Sequence, residues 1–107
     1  MINNQMRKYD MTKGTLKKLN NVIGDIPSHR INHGSAVIGN ELFIFGGRNV
    51  NGGWNAANDI YSFDPNYKQW SKIKTFGEAP LPRNGMSFFG FPKKLYVFGG
   101  FGGQMNP

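Results

Sequence analysis

One hexapeptide sets the terms on which this chain can fold. Leu42-Phe43-Ile44-Phe45-Gly46-Gly47 returns as Leu95-Tyr96-Val97-Phe98-Gly99-Gly100, an offset of 95 − 42 = 53 residues. Four consecutive aliphatic or aromatic side chains bounded by a glycine pair read as a short strand buried on both faces, because a half-exposed strand alternates apolar with polar. Without Cβ, the paired glycines can take positive φ and let neighbouring backbone approach closely, which suits a crowded strand end. The same offset puts Arg30 on Arg83, Pro27 on Pro80, Gly24 on Gly77 and Asp25 on Glu78 without a gap. A period near 50 residues built from strand-like units belongs to propeller-type blades rather than helical solenoids.

At 107 residues the chain is at most one ordinary domain, with enough length for a core if the fold can close. Fifteen glycines and 14% aromatic residues, with no long segment of 3.6-residue periodicity, point to a turn-rich all-β protein packed by rings. The absence of cysteine excludes disulfides, thiol nucleophiles and cysteine zinc sites. Met1-Ile2-Asn3-Asn4-Gln5-Met6 lacks the apolar run of a signal peptide, and no run of about 18 apolar residues occurs. The expectation is a soluble cytoplasmic protein without a membrane span. A net charge of +7 favours acidic partners in a general way. Lys17, Lys18, Lys68, Lys72 and Lys74 fall in or beside the last strand of a unit, and Lys93 and Lys94 in a hairpin. They read as solvated edges that discourage strand addition, not as a nucleic-acid surface, for which no recognition motif is present.

Taken in order, residues 1–20 are the tail of a unit: Arg7-Lys8-Tyr9-Asp10 and Leu16-Lys17-Lys18-Leu19 resemble Ser62-Phe63-Asp64 and Trp70-Ser71-Lys72-Ile73 at an offset of 64 − 10 = 54. Residues 21–76 hold a linker and a complete unit. Asn20 to His29 is read as a loop, and the stretch from Arg30 to Ile38 ends in a first strand. Gly39-Asn40 turns it tightly into Leu42–Phe45. A polar excursion, Arg48 to Ala57, is read as a surface loop. Asn58 to Phe63 gives a third strand, Asp64-Pro65-Asn66 a turn, and Trp70 to Ile73 a fourth strand. Residues 77–107 hold a second linker and the first two strands of a further unit, turning at Gly90 to Lys94.

With these residues in place, the chain resembles the kelch-repeat β-propellers. That pattern has an Arg and often a His before the first strand, four hydrophobic residues closing on Gly-Gly in the second, a Tyr in the third and a Trp in the fourth. Arg30, His33, Leu42 to Phe45, Gly46-Gly47, Tyr61 and Trp70 meet it. The second copy keeps Arg83 and Gly99-Gly100 but has Met86 in place of the His, and the opening copy has Leu16 in place of the Trp. The resemblance implies four-stranded antiparallel blades around an axis: one complete blade flanked by two half-blades, a partial propeller. Kelch rings of about six or seven blades imply that this chain is a fragment, a truncated copy or one segment of an assembly.

Signals for chemistry are few. Gly46-Gly47-Arg48 and Gly99-Gly100-Phe101-Gly102-Gly103 match neither phosphate-binding glycine pattern. His29 and His33 would bracket a metal only in a helix, which Pro27 and the extended stretch after it disfavour. The acids Asp10, Asp25, Glu41, Asp59, Asp64 and Glu78 sit largely at turns and linkers, where carboxylates cap backbone locally. No catalytic residue, metal or cofactor is expected. Arg30 and Arg83 invite two readings, an axial site for an acidic peptide and an interblade ion pair or backbone contact. Trp54 belongs to no repeat position, and either packs under its loop or anchors a partner.

The function implied by the resemblance is a noncatalytic protein–protein interaction module, with Arg30, Arg48, Asn49, Asn51, Trp54, Asn55, Arg83 and Phe101 as partner-facing candidates. The alternatives are a fragment of a propeller enzyme of the sugar-isomerising type and a truncated product without independent function. Unpaired edges at the two ends imply self-association or completion by further blades.

Overall fold

A computed structural model describes residues 4–102. In chain order its strands are β1 (Arg7–Asp10), β2 (Thr15–Lys18), β3 (Ile23–Gly24), β4 (Arg30–Ile31), β5 (Gly34–Ile38), β6 (Glu41–Phe45), β7 (Arg48–Asn49), β8 (Ile60–Asp64), β9 (Gln69–Lys72), β10 (Arg83–Asn84), β11 (Ser87–Phe91), β12 (Lys94–Phe98) and β13 (Phe101–Gly102). A short 3-10 turn spans Val50–Gly52. The fold is all-β: one complete antiparallel blade, β5-β6-β8-β9, stands between the hairpin β1-β2 and the hairpin β11-β12.

Turn chemistry sets the hairpin registers. Gly39 takes a φ of 61° at the first position of the two-residue β5-β6 turn, which closes with Ile38 opposite Glu41 and Gly34 opposite Phe45. Between β8 and β9, Asp64 Oδ1 accepts the Asn66 N–H at 2.9 Å. Between β1 and β2, Asp10 Oδ1 accepts the Thr12 and Lys13 N–H groups at 2.9 and 3.0 Å. These are Asx turns at equivalent points of the repeat, and they keep the strands aligned so that Tyr9 opposes Leu16 as Phe63 opposes Trp70.

Period-2 alternation then divides the blade into two faces. On one, Ile44, Tyr61, Phe63 and Trp70 form the buried core, with Met6, Leu19, Val22 and Leu42 packed against them and the Phe63 and Trp70 rings 4.9 Å apart. On the other, Phe45 stacks on Phe88 of the following half-blade at 5.8 Å. Gly34 gives up a side chain to make room for Phe88, and Gly90 does the same for Ile38, whose Cγ1 would lie 2.8 Å from a Cβ there.

Four readings of the sequence change. The linker from Asn20 to His29 is not wholly a loop, because Ile23–Gly24 runs parallel to Gln69–Trp70 and adds a fifth strand to the blade. The outer edge of β9 offers unpaired backbone groups, and Gly24, with φ 93°, approaches so closely that a Cβ would collide with the Trp70 carbonyl. The excursion from Arg48 to Ala57 is anchored at both ends rather than superficial: β7 pairs with β4, Arg48 bridges Ala56, and Arg48 and Ala57 are buried. The β11-β12 turn is only Pro92-Lys93, with Lys93 at φ 66°, so both strands run longer than the Pro signalled. Finally, β12 is not buried on both faces; Leu95 and Val97 are half-buried while Tyr96 and Phe98 are exposed, since no blade covers that side among the described residues.

Candidate functional site at the blade top

Each glycine pair delivers the chain to the end of the blade where the arginines converge. Gly46 and Gly47 have φ of 66° and 95°, and a Cβ on either would lie 2.7 Å from backbone oxygen, that of Arg83 or of Ile31. Freed of side chains, they stitch the two repeats together: Gly47 N donates to Arg83 O at 2.9 Å, Ala57 N to Gly47 O at 2.8 Å and Arg83 N to Ala57 O at 2.9 Å. The glycine pair is thus the junction at which the two repeats are bonded together.

Arg30 is 7% exposed and fully committed. Its guanidinium donates to both Asp59 oxygens at 2.7 and 3.3 Å, to the Gly46 carbonyl at 3.1 Å and to Ser28 Oγ at 3.1 Å, and its Cζ sits 5.2 Å from the centre of the Tyr61 ring. The ion pair lies within one blade, not between blades. Asp59 is therefore no turn cap; its oxygens hold the repeat arginine. The sequence carried a signal for this, since Asp59 is the acid that directly precedes the buried third strand.

Arg83 reproduces half of that arrangement. Its Nε donates to Leu81 O at 3.0 Å, as Arg30 Nε does to Ser28 O at 3.4 Å, and its Nη1 donates to Gly99 O at 3.0 Å, matching Arg30 and Gly46. No acid stands within ion-pair distance of it among the described residues, and it is half-exposed.

Arg48 is completely buried. Its Nη1 donates to the Trp54 carbonyl at 2.7 Å, and its Cζ lies 5.6 Å from the centre of the Phe101 ring. It works from beneath, tying the loop to the following repeat. Asn49 lies beside it, accepting from Ser28 Oγ through its side chain and from Trp54 N at 3.0 Å through its carbonyl, while its own N–H donates to Asn55 O at 3.0 Å. Trp54 is 37% exposed at a φ of 64°, a costly conformation for so large a residue and one that this ladder of bonds enforces. Asn51 and Asn55 are exposed beside it, and Phe101 exposes most of its ring. Of the partner-facing candidates, the structure places Arg30 and Arg48 inside and leaves Asn51, Trp54, Asn55, Phe101 and part of Arg83 outside. The repeat residues Tyr61 and Trp70 lie in the core, and Gly99 and Gly100 repeat the positive φ of Gly46 and Gly47.

Beneath Arg30, on the core face, a cleft of about 260 Å³ opens among Met6, His33, Ser35, Leu42, Ile44 and Trp70. His33 is held below the ordinary imidazole pKa, first by desolvation against its packed side and second by the charge of Arg30. Among the described residues no three His, Cys, Asp or Glu side chains gather in a metal-holding group, and no helix is long and apolar enough to cross a membrane.

Comparison with known proteins agrees with this architecture. The chain matches the KLHDC2/KLHL20/DRC7 Kelch-repeats domain over residues 1–106. It is 39% identical over 86 residues to the mouse Rab9 effector protein with kelch motifs, covering 78% of this chain and 22% of that protein. It is 37% identical over 76 residues to Kelch domain-containing protein 3 of Bos taurus, covering 71% and 19%. It is also 37% identical over 95 residues to an enzyme, the N-(sulfonatooxy)prop-2-enimidothioate sulfolyase of Thlaspi arvense, covering 88% and 27%. The chain spans less than a third of the length of each of these relatives. With the family model matched over residues 1–106, and with a repeat spacing and blade topology that agree, the chain belongs to the kelch-repeat family.

Proposed function

We propose that the chain is a noncatalytic protein-interaction module whose partner seats on the loop Asn51 to Asn55, with Phe101 and the exposed side of Arg83 as neighbours. The observation that carries this reading is Trp54: a large ring partly exposed to solvent on a strained backbone held by three hydrogen bonds, one of them from a buried arginine. An aromatic anchor fixed before binding loses little conformational entropy on association, which is how such residues come to dominate interfaces. The net charge of +7 and the half-satisfied guanidinium of Arg83 favour an acidic segment in the partner. Family membership supports the class of function, since kelch domains generally mediate protein–protein interactions. The sulfolyase relative keeps an enzymatic reading in view, yet among the described residues no Asp or Glu lines the cleft, and Asp59 is paired with Arg30.

Affinity capture from cell lysate with the wild-type chain and Trp54→Ala tests the proposal. The substitution is expected to reduce specific partners at least tenfold while leaving the thermal midpoint within about 2 °C, as for a surface change. Retention of every specific partner by the variant rejects it.

A further inference from the structure

The chain contains two Asn-Gly pairs, Asn51-Gly52 and Asn84-Gly85, and the fold treats them in opposite ways. Asparagine is a thermolabile residue, most so when glycine follows it. Without Cβ, the glycine lets its backbone nitrogen swing onto the amide carbon of the preceding side chain. Whether a given pair reacts is decided by whether that nitrogen and that amide are free to meet.

At Asn84-Gly85 they are not. Asn84 is 7% exposed, its Nδ2 donates to the Phe101 carbonyl at 2.8 Å, and the Gly85 N–H donates to the Asn32 carbonyl at 2.9 Å. Both reacting groups are held, and freeing them means parting β10 from β13.

At Asn51-Gly52 the restraints fall on either side of the pair. Val50 N donates to His29 O at 2.9 Å, and Asn49 N to Asn55 O and Trp54 N to Asn49 O at 3.0 Å each. Asn51 itself is exposed, and among the described residues no hydrogen bond holds its amide. The pair lies in the three-residue 3-10 turn Val50–Gly52, which has no side-chain cap at Asn49 and is followed by Gly53 at φ 79° in open space. Ring closure needs that turn to open, and a single 3-10 turn on an exposed loop opens at little cost.

We propose that Asn51 is a site of spontaneous deamidation and isoaspartate formation, a slow covalent change built into the loop at the blade top. Gly52 N attacks Asn51 Cγ, forming the C–N bond of a succinimide ring; the N–H proton passes to water, and Nδ2 takes up a proton and leaves as ammonia. Water then opens the ring at either carbonyl. Opening at Cγ leaves aspartate, whereas opening at the main-chain carbonyl leaves isoaspartate, in which the chain runs through Cγ and is longer by one methylene. The net reaction consumes one water, releases one ammonia and needs neither oxidant nor reductant. Either product puts a negative charge in the Trp54 loop, and isoaspartate also lengthens the backbone between the bonds at Asn49 and those at Trp54 and Asn55. An acidic partner is then repelled and loses a fixed anchor. That consequence rests on the binding role proposed for Trp54; the chemistry at Asn51 does not.

Peptide mapping by mass spectrometry of the full chain, held in neutral buffer at body temperature, reads both pairs at once. In urea, where neither pair is protected, they are expected to convert at rates within about twofold of each other. In the folded chain Asn51 is expected to convert at least about tenfold faster than Asn84. Gly52→Ala, in a turn whose backbone any residue adopts, is expected to slow Asn51 at least about tenfold with no change at Asn84 or in the far-UV spectrum. Chain aged until Asn51 has converted is expected to lose, in affinity capture, the partners that Trp54→Ala loses. Asn84 keeping pace with Asn51 in the folded chain, an Asn51 that converts in urea but not in the fold, or a rate untouched by Gly52→Ala overturns the site. Because those readouts are masses, a Trp54→Ala chain that keeps every partner sinks the binding role and leaves the site standing. An aged chain that keeps the partners Trp54→Ala loses overturns the effect on the loop.

Discussion

The complete blade and the half-blade that follows it carry the same motif and part company only where a neighbour is needed. Gly47 and Gly100 share a φ of 95°, and Arg30 and Arg83 reach the glycine carbonyl sixteen residues on at 3.1 and 3.0 Å. Yet Phe45 is 1% exposed and its counterpart Phe98 76%. Conformation travels with the repeat's own residues, since turns and side-chain-to-backbone bonds are local. Burial does not, because it depends on the blade that stands alongside.

The sharpest way to break the comparison is to delete the equivalent rings. Phe45→Ala removes a side chain stacked on Phe88 and sealed in the blade, and costs about 3–5 kcal/mol. Phe98→Ala removes a ring that is 76% exposed in this chain, and costs under about 0.5 kcal/mol. Urea melts followed by tryptophan fluorescence measure both; similar losses at the two sites contradict the distinction.

Next in size is the pair of arginines. Arg30→Ala leaves Asp59 desolvated and without its bidentate partner, a loss of about 3 kcal/mol. Arg83→Ala breaks exposed bonds to two carbonyls that water can replace, a loss of about 1 kcal/mol or less. If Arg83→Ala proves the more damaging in thermal melts, the second repeat's arginine has a partner this geometry does not supply.

The same division explains what the sequence discloses. Leu42 to Gly47, Tyr61 and Trp70 announce the blade because apolar runs and glycine pairs are consequences of strand burial and turn geometry, which act over a few residues. The pairing of Ile23–Gly24 with β9 was invisible, since a parallel contact 46 residues away leaves no periodic mark on a two-residue strand. Arg48 shows the converse: in a polar stretch it looks superficial, and its burial comes from Phe101 and the Trp54 carbonyl, partners brought together only by the fold. Asp59 was legible as an acid at a strand start but not as the counter-ion of Arg30, because 29 residues of chain separate them.

The smallest effect expected is electrostatic and separates the two repeats by chemistry, since the position of His33 is held by Met86 in the second copy. Desolvation, and then the charge of Arg30, hold the His33 pKa below its usual 6.5 in the folded chain. The unfolded chain therefore binds more protons as pH falls through 6.5, and stability rises with pH across the window just below that value. The contribution of neutral His33 is fully present above pH 6.5 and is lost as acid protonates the imidazole against Arg30. Thermal midpoints between about pH 7.5 and pH 5.5 should fall for the wild type and fall less for His33→Gln, which cannot acquire the charge. Every other titratable group is common to the two proteins, so the difference between the two curves isolates the histidine. Parallel curves through this window would mean that the imidazole stands in water, unaffected by the arginine that organises the blade top.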